Sequence, residues 1–416
     1  MHPIKNIGFV STRFAGTDGV SLETAKWAEV LTRNRFECFY FAGQLDRKKS
    51  RSFQSELAFF DHPEIKEIQD ELFGVTVRSF DTSTKIQRIK EKLKEELYAF
   101  KRKFHIDLLI PENALTIPMN IPLGLAITEF IAETGIPTIA HHHDFYWERD
   151  RFLINACQDY LDKAFPADLP SIQHVVINSL ASKQLSRRLG ISNIIIPNVY
   201  DFAQPPKEDE ENCHLKEKIG LKKDDLFILQ PTRIVPRKWI ERSIEIVRNL
   251  ELKNPALVIS HSSGDEGGDY FKRIMEYAEN MGVNIILIDH LIGTDAPGDS
   301  KQYTIADAYK CADLVTYPSG YEGFGNAFLE TIYFQKPIVV NRYSIFIADI
   351  EPKGFDVITI EGFIASKAIR KIKRVLSDPE YRLKMVTTNY ELAERYFSYE
   401  VLERRLLHMI NMFEEY

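Results

Sequence analysis

Residues 7–41 read IGFV-STRFAGTDG-VSLETAKWAEVLTRNRFE-CFYF. Ile7-Gly8-Phe9-Val10 is a short apolar run of strand type. A loop carrying Gly16 and Gly19 follows it. Leu22, Ala25, Ala28 and Leu31 then recur at helical spacing, and Cys38-Phe39-Tyr40-Phe41 is a second strand. A strand, a crossover helix and a second strand make a β-α-β unit.

The same alternation continues outward from this unit. Ile86, Ile89, Leu93, Leu97, Phe100 and Phe104 mark an amphipathic helix over Lys85–Phe104 that leads into Asp107–Ile110. Strand candidates follow at Pro137–Ala140, Val175–Asn178 and Ile194–Pro197. After a proline-rich and charged stretch at 204–212 they restart at Phe227–Leu229, Ala256–Ile259, Ile285–Leu287, Leu314–Thr316 and Pro337–Val340. Helical patterns separate them, and the tail from Ser366 is helical. Strands alternating with helices predict parallel, doubly wound sheets covered on both faces. The expected organisation is a first α/β domain over 1–203, a linker over 204–212, a second α/β domain over 213–395 and a final helical segment over 396–416.

Composition narrows the function classes. The 416 residues carry 53 Lys and Arg against 60 Asp and Glu, a net charge of −7. A nucleic-acid partner calls for a basic face, which this balance disfavours. One local phosphate site remains compatible with it. Met1–Asn6 lacks the apolar stretch of a secretory signal, and no uncharged apolar run reaches the roughly 18–20 residues of a spanning helix. Cys38, Cys157, Cys213 and Cys311 are far apart and form no zinc or disulfide pattern. A soluble cytoplasmic protein with reduced thiols is expected.

Open α/β sheets bind ligands at the carboxyl ends of their strands, so four loops are candidate sites. The first, Ser11–Gly19, lacks the G-x-G-x-x-G fingerprint of a classical dinucleotide site. Gly16 and Gly19 still allow close approach of backbone to a phosphate, although an ordinary tight turn explains them equally well. The second, His141-His142-His143-Asp144, follows a strand, where successive side chains alternate, so the three imidazoles cannot all point one way. One of them at a strand end suits hydrogen bonding or acid-base work, with a polar rim as the plain alternative. The third, Pro231–Trp239, places Arg233 and Lys238 five apart across a loop-to-helix turn. Those two cations suit a diphosphate, or else belong to a solvated basic loop. The fourth, Pro318–Glu330, surrounds Glu322 with glycines and opens a helix near Asn326 that carries Glu330. An exposed helix start is an anion site, and carboxylates accept paired hydrogen bonds from sugar diols. Together these features point to a nucleotide-sugar site.

At this point the sequence resembles the family-4 retaining glycosyltransferases, which have the GT-B fold. The resemblance rests on Glu322 and Glu330 as an E-x7-E motif and on Arg233 and Lys238 as an R-x4-K pair. Ala312–Ser319, Pro197-Asn198 and Phe397-Ser398 also fit the family's pattern. The resemblance implies two Rossmann-like domains facing a cleft, with the last helix crossing back to the first domain. It implies that Arg233 and Lys238 hold the donor diphosphate and stabilise the leaving group. Glu322 would bind the donor sugar with the amides of Gly323 and Phe324. The amides near Asn326 and Ala327 would meet the distal phosphate, Gly325 would also belong to the donor site, and Glu330 would bind the ribose. Gly16 and Gly19 would approach from the first domain. His143 matches the family's cleft histidine best, with His142 as the alternative. Two departures concern the sugar pocket or its support: Gln335 stands where the family often has a small residue or glycine, and Asn341–Phe346 replaces a glycine-rich loop.

The expected activity is retaining transfer of a hexose from UDP-glucose, GDP-mannose or ADP-glucose to a small soluble sugar-like acceptor. No D-x-D cluster suggests a metal, no cofactor is required, and no side-chain nucleophile is evident. A phosphorylase of the same fold and a non-catalytic two-lobed binding module are the rivals. Membrane docking through Lys85–Phe104, with its eight basic and three acidic residues, is the less favoured reading, because its apolar stripe is expected to pack on the sheet.

Overall fold

The computed structural model describes residues 4–16, 18–206, 214–252, 255–262, 268–293 and 303–414. Residues 207–212 of the linker stretch and 263–267 of the glycine-rich loop at 262–268 lie outside them. The chain divides into two compact units, one formed by 1–199 with 399–416 and the other by 200–398.

The first unit is built on β1 (Asn6–Val10), β2 (Glu37–Ala42), β3 (Ser52–Gln54), β4 (Leu108–Pro111), β5 (Thr138–His142), β6 (Ile172–Val176) and β7 (Asn193–Ile195). They form one parallel sheet in the order β3-β2-β1-β4-β5-β6-β7. Alternation along each strand divides its apolar residues between two cores. Val10, Phe41, Leu109 and Ala140 pack on one face. Ile7, Phe9, Tyr40, Leu108, Ile110 and Ile139 pack on the other. Both faces must therefore be covered. Helix Phe80–Phe104 buries its whole apolar stripe, from Ile86 to Phe104, on the first face, so that stripe is not exposed for membrane docking. Helix Tyr399–Glu414 covers the second face with Leu402, Leu406, Met409 and Ile410. Helix Ile121–Thr134 is buried nearly all round, which is why its residues show no amphipathic period.

The second unit carries β8 (Phe227–Gln230), β9 (Ala256–Ile259), β10 (Asn284–Leu287), β11 (Leu314–Tyr317), β12 (Ile338–Asn341) and β13 (Ile358–Ile360). They form a parallel sheet in the order β10-β9-β8-β11-β12-β13. Ile228, Leu257, Ile259, Leu314 and Val339 anchor one core beneath helix Ile240–Leu250. In both sheets the strand order reverses beside the first strand, which puts the loops after β1 and β8 at the switch points where such sheets bind ligands.

Two local findings concern sequence expectations. Cys38 and Cys157 are free and buried. Gln335 follows the end of helix Asn326–Tyr333 with a φ of 51°, a left-handed position that favours glycine. That geometry accounts for the glycine often found there in the resembling family. Gln335→Gly is expected to raise stability by about 1 kcal/mol and leave turnover unchanged, as measured by urea denaturation beside an activity assay.

No helix among the described residues is long and apolar enough to cross a membrane.

Candidate active site

In the second unit, the ends of β8 and β11 bring two of the sequence-predicted segments together. Gln230 at the end of β8 is fully buried and accepts hydrogen bonds from Ser243 at 2.6 Å and from Thr316 of β11 at 2.9 Å. Its amide donates to Thr232 at 2.8 Å. This shared polar core fixes the two strand ends, because a buried amide left unpaired would be costly. Beyond it, the Gly320 amide donates to the Arg237 carbonyl at 2.9 Å, joining the loop after β8 to the loop after β11. Asn341 steadies the second loop by donating to the Ser319 carbonyl at 3.0 Å and accepting from the Gly362 amide at 2.9 Å.

Glu322 lies where these loops meet. It is 7% exposed and both of its oxygens are engaged. Lys238 contacts Oε1, and Arg237 donates to Oε2 at 2.9 Å. Burial would raise the Glu322 carboxyl, but the Lys238 and Arg237 charges outweigh it and hold it below the usual carboxylate range. Burial acts first on Lys238 too and lowers it, against the opposing pull of Glu322. Arg233 is exposed yet near enough to act electrostatically on Lys238 and His261. Sequence reasoning missed Arg237, although it lies inside the R-x4-K motif.

Gly325 precedes helix Asn326–Tyr333 with φ 117° and ψ 69°, and no side chain caps that helix start. The hydroxyl of Tyr343 donates to the Phe324 carbonyl at 2.7 Å. The residues that replace the family's glycine-rich loop therefore brace the segment ahead of the helix. Phe324 is buried with its ring edge-on to Phe397. Glu330 accepts a hydrogen bond from the fully buried Tyr309 at 2.8 Å.

The other predicted residues lie in the first unit. Gly16 has φ 77°, and its amide donates to Asp46 at 2.8 Å. Asp18 caps the next helix by accepting from the amides of Val20 and Ser21. The Gly16 amide and two amides of the helix start thus already have protein partners, and Gly19 shows no steric need for glycine. At the end of β5 the three histidines diverge as strand geometry requires. His142 turns to His174, with 2.9 Å between ring nitrogens. Burial pushes His142 well down and His174 down to about 4. His141 and His143 turn instead to Glu112, which sequence reasoning also missed. Of the three side chains, His143 keeps measurable exposure at 12%, whereas His141 has 1%.

Two parallel α/β units, the second placing clustered cations, a buried carboxylate and an uncapped helix start at its strand ends, have the architecture of GT-B glycosyltransferases. The family profile described as glycosyl transferases group 1 matches residues 213–392. Mannosylglucosylglycerate synthase of Thermotoga maritima is 31% identical, over 95% of this chain and 97% of its own length. The mannosylglucosylglycerate synthase of Petrotoga mobilis is 33% identical, over 85% of this chain and 86% of its own. Among solved structures, a sucrose-phosphate synthase of Thermosynechococcus elongatus superposes with TM-score 0.69 at 13% identity, covering 99% of both chains. The Anabaena HepE protein, solved with UDP and glucose, superposes with TM-score 0.64 at 14% identity over 98% of this chain and 100% of its own. These two likenesses concern the fold. The chain belongs to the group 1 glycosyltransferase family.

Proposed function

We propose that this glycosyltransferase moves mannose from a nucleotide-activated mannose to glucosylglycerate with retention of anomeric configuration. The names of the two synthase relatives support the sugar and the acceptor. Of the donors that fit the motifs, GDP-mannose carries mannose, whereas UDP-glucose and ADP-glucose carry glucose.

The observation that carries the reading is the cation cluster around Glu322. Arg237 and Lys238 set two positive charges against one carboxylate, with Arg233 near Lys238, beside a helix start without a side-chain cap. That surplus suits a diphosphate, which gains negative charge as the sugar–phosphate bond breaks. In this reading Arg233 and Lys238 hold the diphosphate. Glu322 and the amides of Gly323, Phe324 and Gly325 receive the sugar, and the amides of Asn326 and Ala327 meet the distal phosphate. Glu330 takes the ribose, Gly16 and Gly19 line the approach on the first unit, and His143 contacts substrate. The reading needs no cofactor or metal, since positioning and fixed charge supply the stabilisation.

Release of nucleoside diphosphate from each of the three donors, with and without glucosylglycerate, tests this. GDP-mannose should be preferred by about 100-fold or more in kcat/KM, with turnover dependent on the acceptor. Equal turnover of all three donors, or turnover indifferent to glucosylglycerate, overturns the reading.

A further inference from the structure

Glu112 follows β4 and pairs in parallel register with His141. It is fully buried, and its backbone carbonyl accepts from the Ser11 hydroxyl at 2.9 Å. One carboxylate oxygen, Oε2, serves two imidazoles. His141 Nδ1 lies 2.8 Å from it and His143 Nε2 3.3 Å. The other oxygen, Oε1, is buried and has no hydrogen-bond partner among the described residues, as is true of His141 Nε2. Buried orphan polar atoms are uncommon and call for a reason. The Glu112 carboxylate is costly where it is, so the two rings it serves are the natural reason for its place.

The two rings differ in freedom. His141 is stacked on Trp27 with centroids 4.0 Å apart and is sealed from solvent. His143 keeps partial exposure. Asn113 pins the His143 backbone by accepting from its amide at 3.0 Å, and donates to Asp144 at 2.9 Å. Only the Nδ1 side of the His143 ring is not turned to Glu112.

We propose that Glu112 is a positioning residue of the transfer reaction. By accepting the Nε2–H of His143 it fixes that ring and presents Nδ1 to a substrate oxygen. The inference rests on the reading of His143 as a substrate-contacting group. The second consequence is electrostatic. Burial disfavours a charged His143, but Glu112 opposes it most strongly, joined by Glu23 and Asp144, and the ring is held above the ordinary histidine range. Glu23 and Asp144 are occupied elsewhere. Glu23 pairs with Lys26 at 3.0 Å. Asp144 pairs with Arg149, whose Nε lies 2.7 Å away. His141, the remaining titratable neighbour, is lowered by burial. Glu112 thus favours the imidazolium form of His143, in which Nδ1–H is a hydrogen-bond donor.

Activity that needs the imidazolium is full below the raised pKa of His143 and falls as pH rises through it. Removing the Glu112 charge lowers that pKa, so the fall should come at lower pH. The test compares wild type, Glu112→Gln, Glu112→Asp and His143→Gln, with GDP-mannose and glucosylglycerate as probes, across about pH 6 to 9. Melting temperatures are recorded alongside. Glu112→Gln should lower kcat about 10- to 100-fold, with donor KM nearly unchanged and the alkaline limb moved down. Glu112→Asp keeps the charge and should keep the limb in place, and this second variant serves if Glu112→Gln does not fold. His143→Gln should lower kcat and abolish the limb. An unshifted limb in Glu112→Gln, or equal loss in Gln and Asp variants with the wild-type profile, overturns the positioning role while leaving the proposed function intact. Full activity in His143→Gln removes His143 itself from the proposed site.

Discussion

Lys238→Ala is expected to lower kcat by about 10²- to 10³-fold in a protein that still folds. Lys238 is 8% exposed and grips one oxygen of Glu322, while Arg237 holds the other at 2.9 Å. When a donor diphosphate departs, a buried ammonium beside it stabilises the growing charge far better than water would. The same burial complicates the variant, because removing one partner leaves Glu322 poorly compensated, a loss of the kind that costs roughly 3–5 kcal/mol. The double variant Lys238→Met with Glu322→Gln separates the two effects. It should recover stability relative to Lys238→Ala, since no charge is left buried alone between those positions, and it should not recover turnover. Steady-state kinetics and thermal melts of both variants check this. Near-wild-type kcat in Lys238→Ala removes Lys238 from leaving-group stabilisation.

Gly325→Ala is expected to have the second largest effect. The backbone there, at φ 117° and ψ 69°, lies where only glycine is comfortable, and an added side chain costs about 1–3 kcal/mol from backbone strain alone. A Cβ would also sit 2.6 Å from the Tyr343 hydroxyl and 3.3 Å from the Tyr317 ring. Relief requires the loop or Tyr343 to move, and Tyr343 braces the Phe324 carbonyl. Either movement displaces the segment from Gly323 to Ala327, and misplacement on the scale of an ångström costs about 100-fold in rate. Combining Gly325→Ala with Tyr343→Phe should return part of the stability, since the clashing oxygen is gone, but not the part due to φ. A wild-type melting temperature and kcat/KM in Gly325→Ala would show that this turn bears on neither fold nor site.

The alternation of strand and helix patterns made the doubly wound architecture legible from sequence, because buried parallel strands are short apolar runs and their crossover helices are amphipathic. What escaped were elements without those signatures. Ser52–Gln54 and Ile358–Ile360 are three-residue edge strands, too short for alternation to register. Helix Ile121–Thr134 is apolar on nearly every side, so it carries no period. In the second unit the candidate site was readable because local motifs compose it: glycines, two carboxylates eight apart and a basic turn. Arg237 was visible within that turn, but only the fold shows that it reaches Glu322. Glu112 was invisible for a different reason. It follows a strand without any motif of its own, and only the parallel register of β4 with β5 brings it to histidines 29 and 31 residues further along. Gln335 read as a departure from the family, and its backbone adopts the left-handed conformation that glycine favours.

Retaining transfer of mannose to glucosylglycerate, the function proposed for the site around Glu322, is open to direct measurement. The most direct measurement is the anomeric configuration, read by NMR, of the product formed by the wild-type protein from GDP-mannose and glucosylglycerate. GDP-mannose presents an α-linked sugar, and the predicted product carries an α-linked mannose on glucosylglycerate. A β-linked mannose, or no mannosylated product under conditions in which the protein is folded, contradicts it.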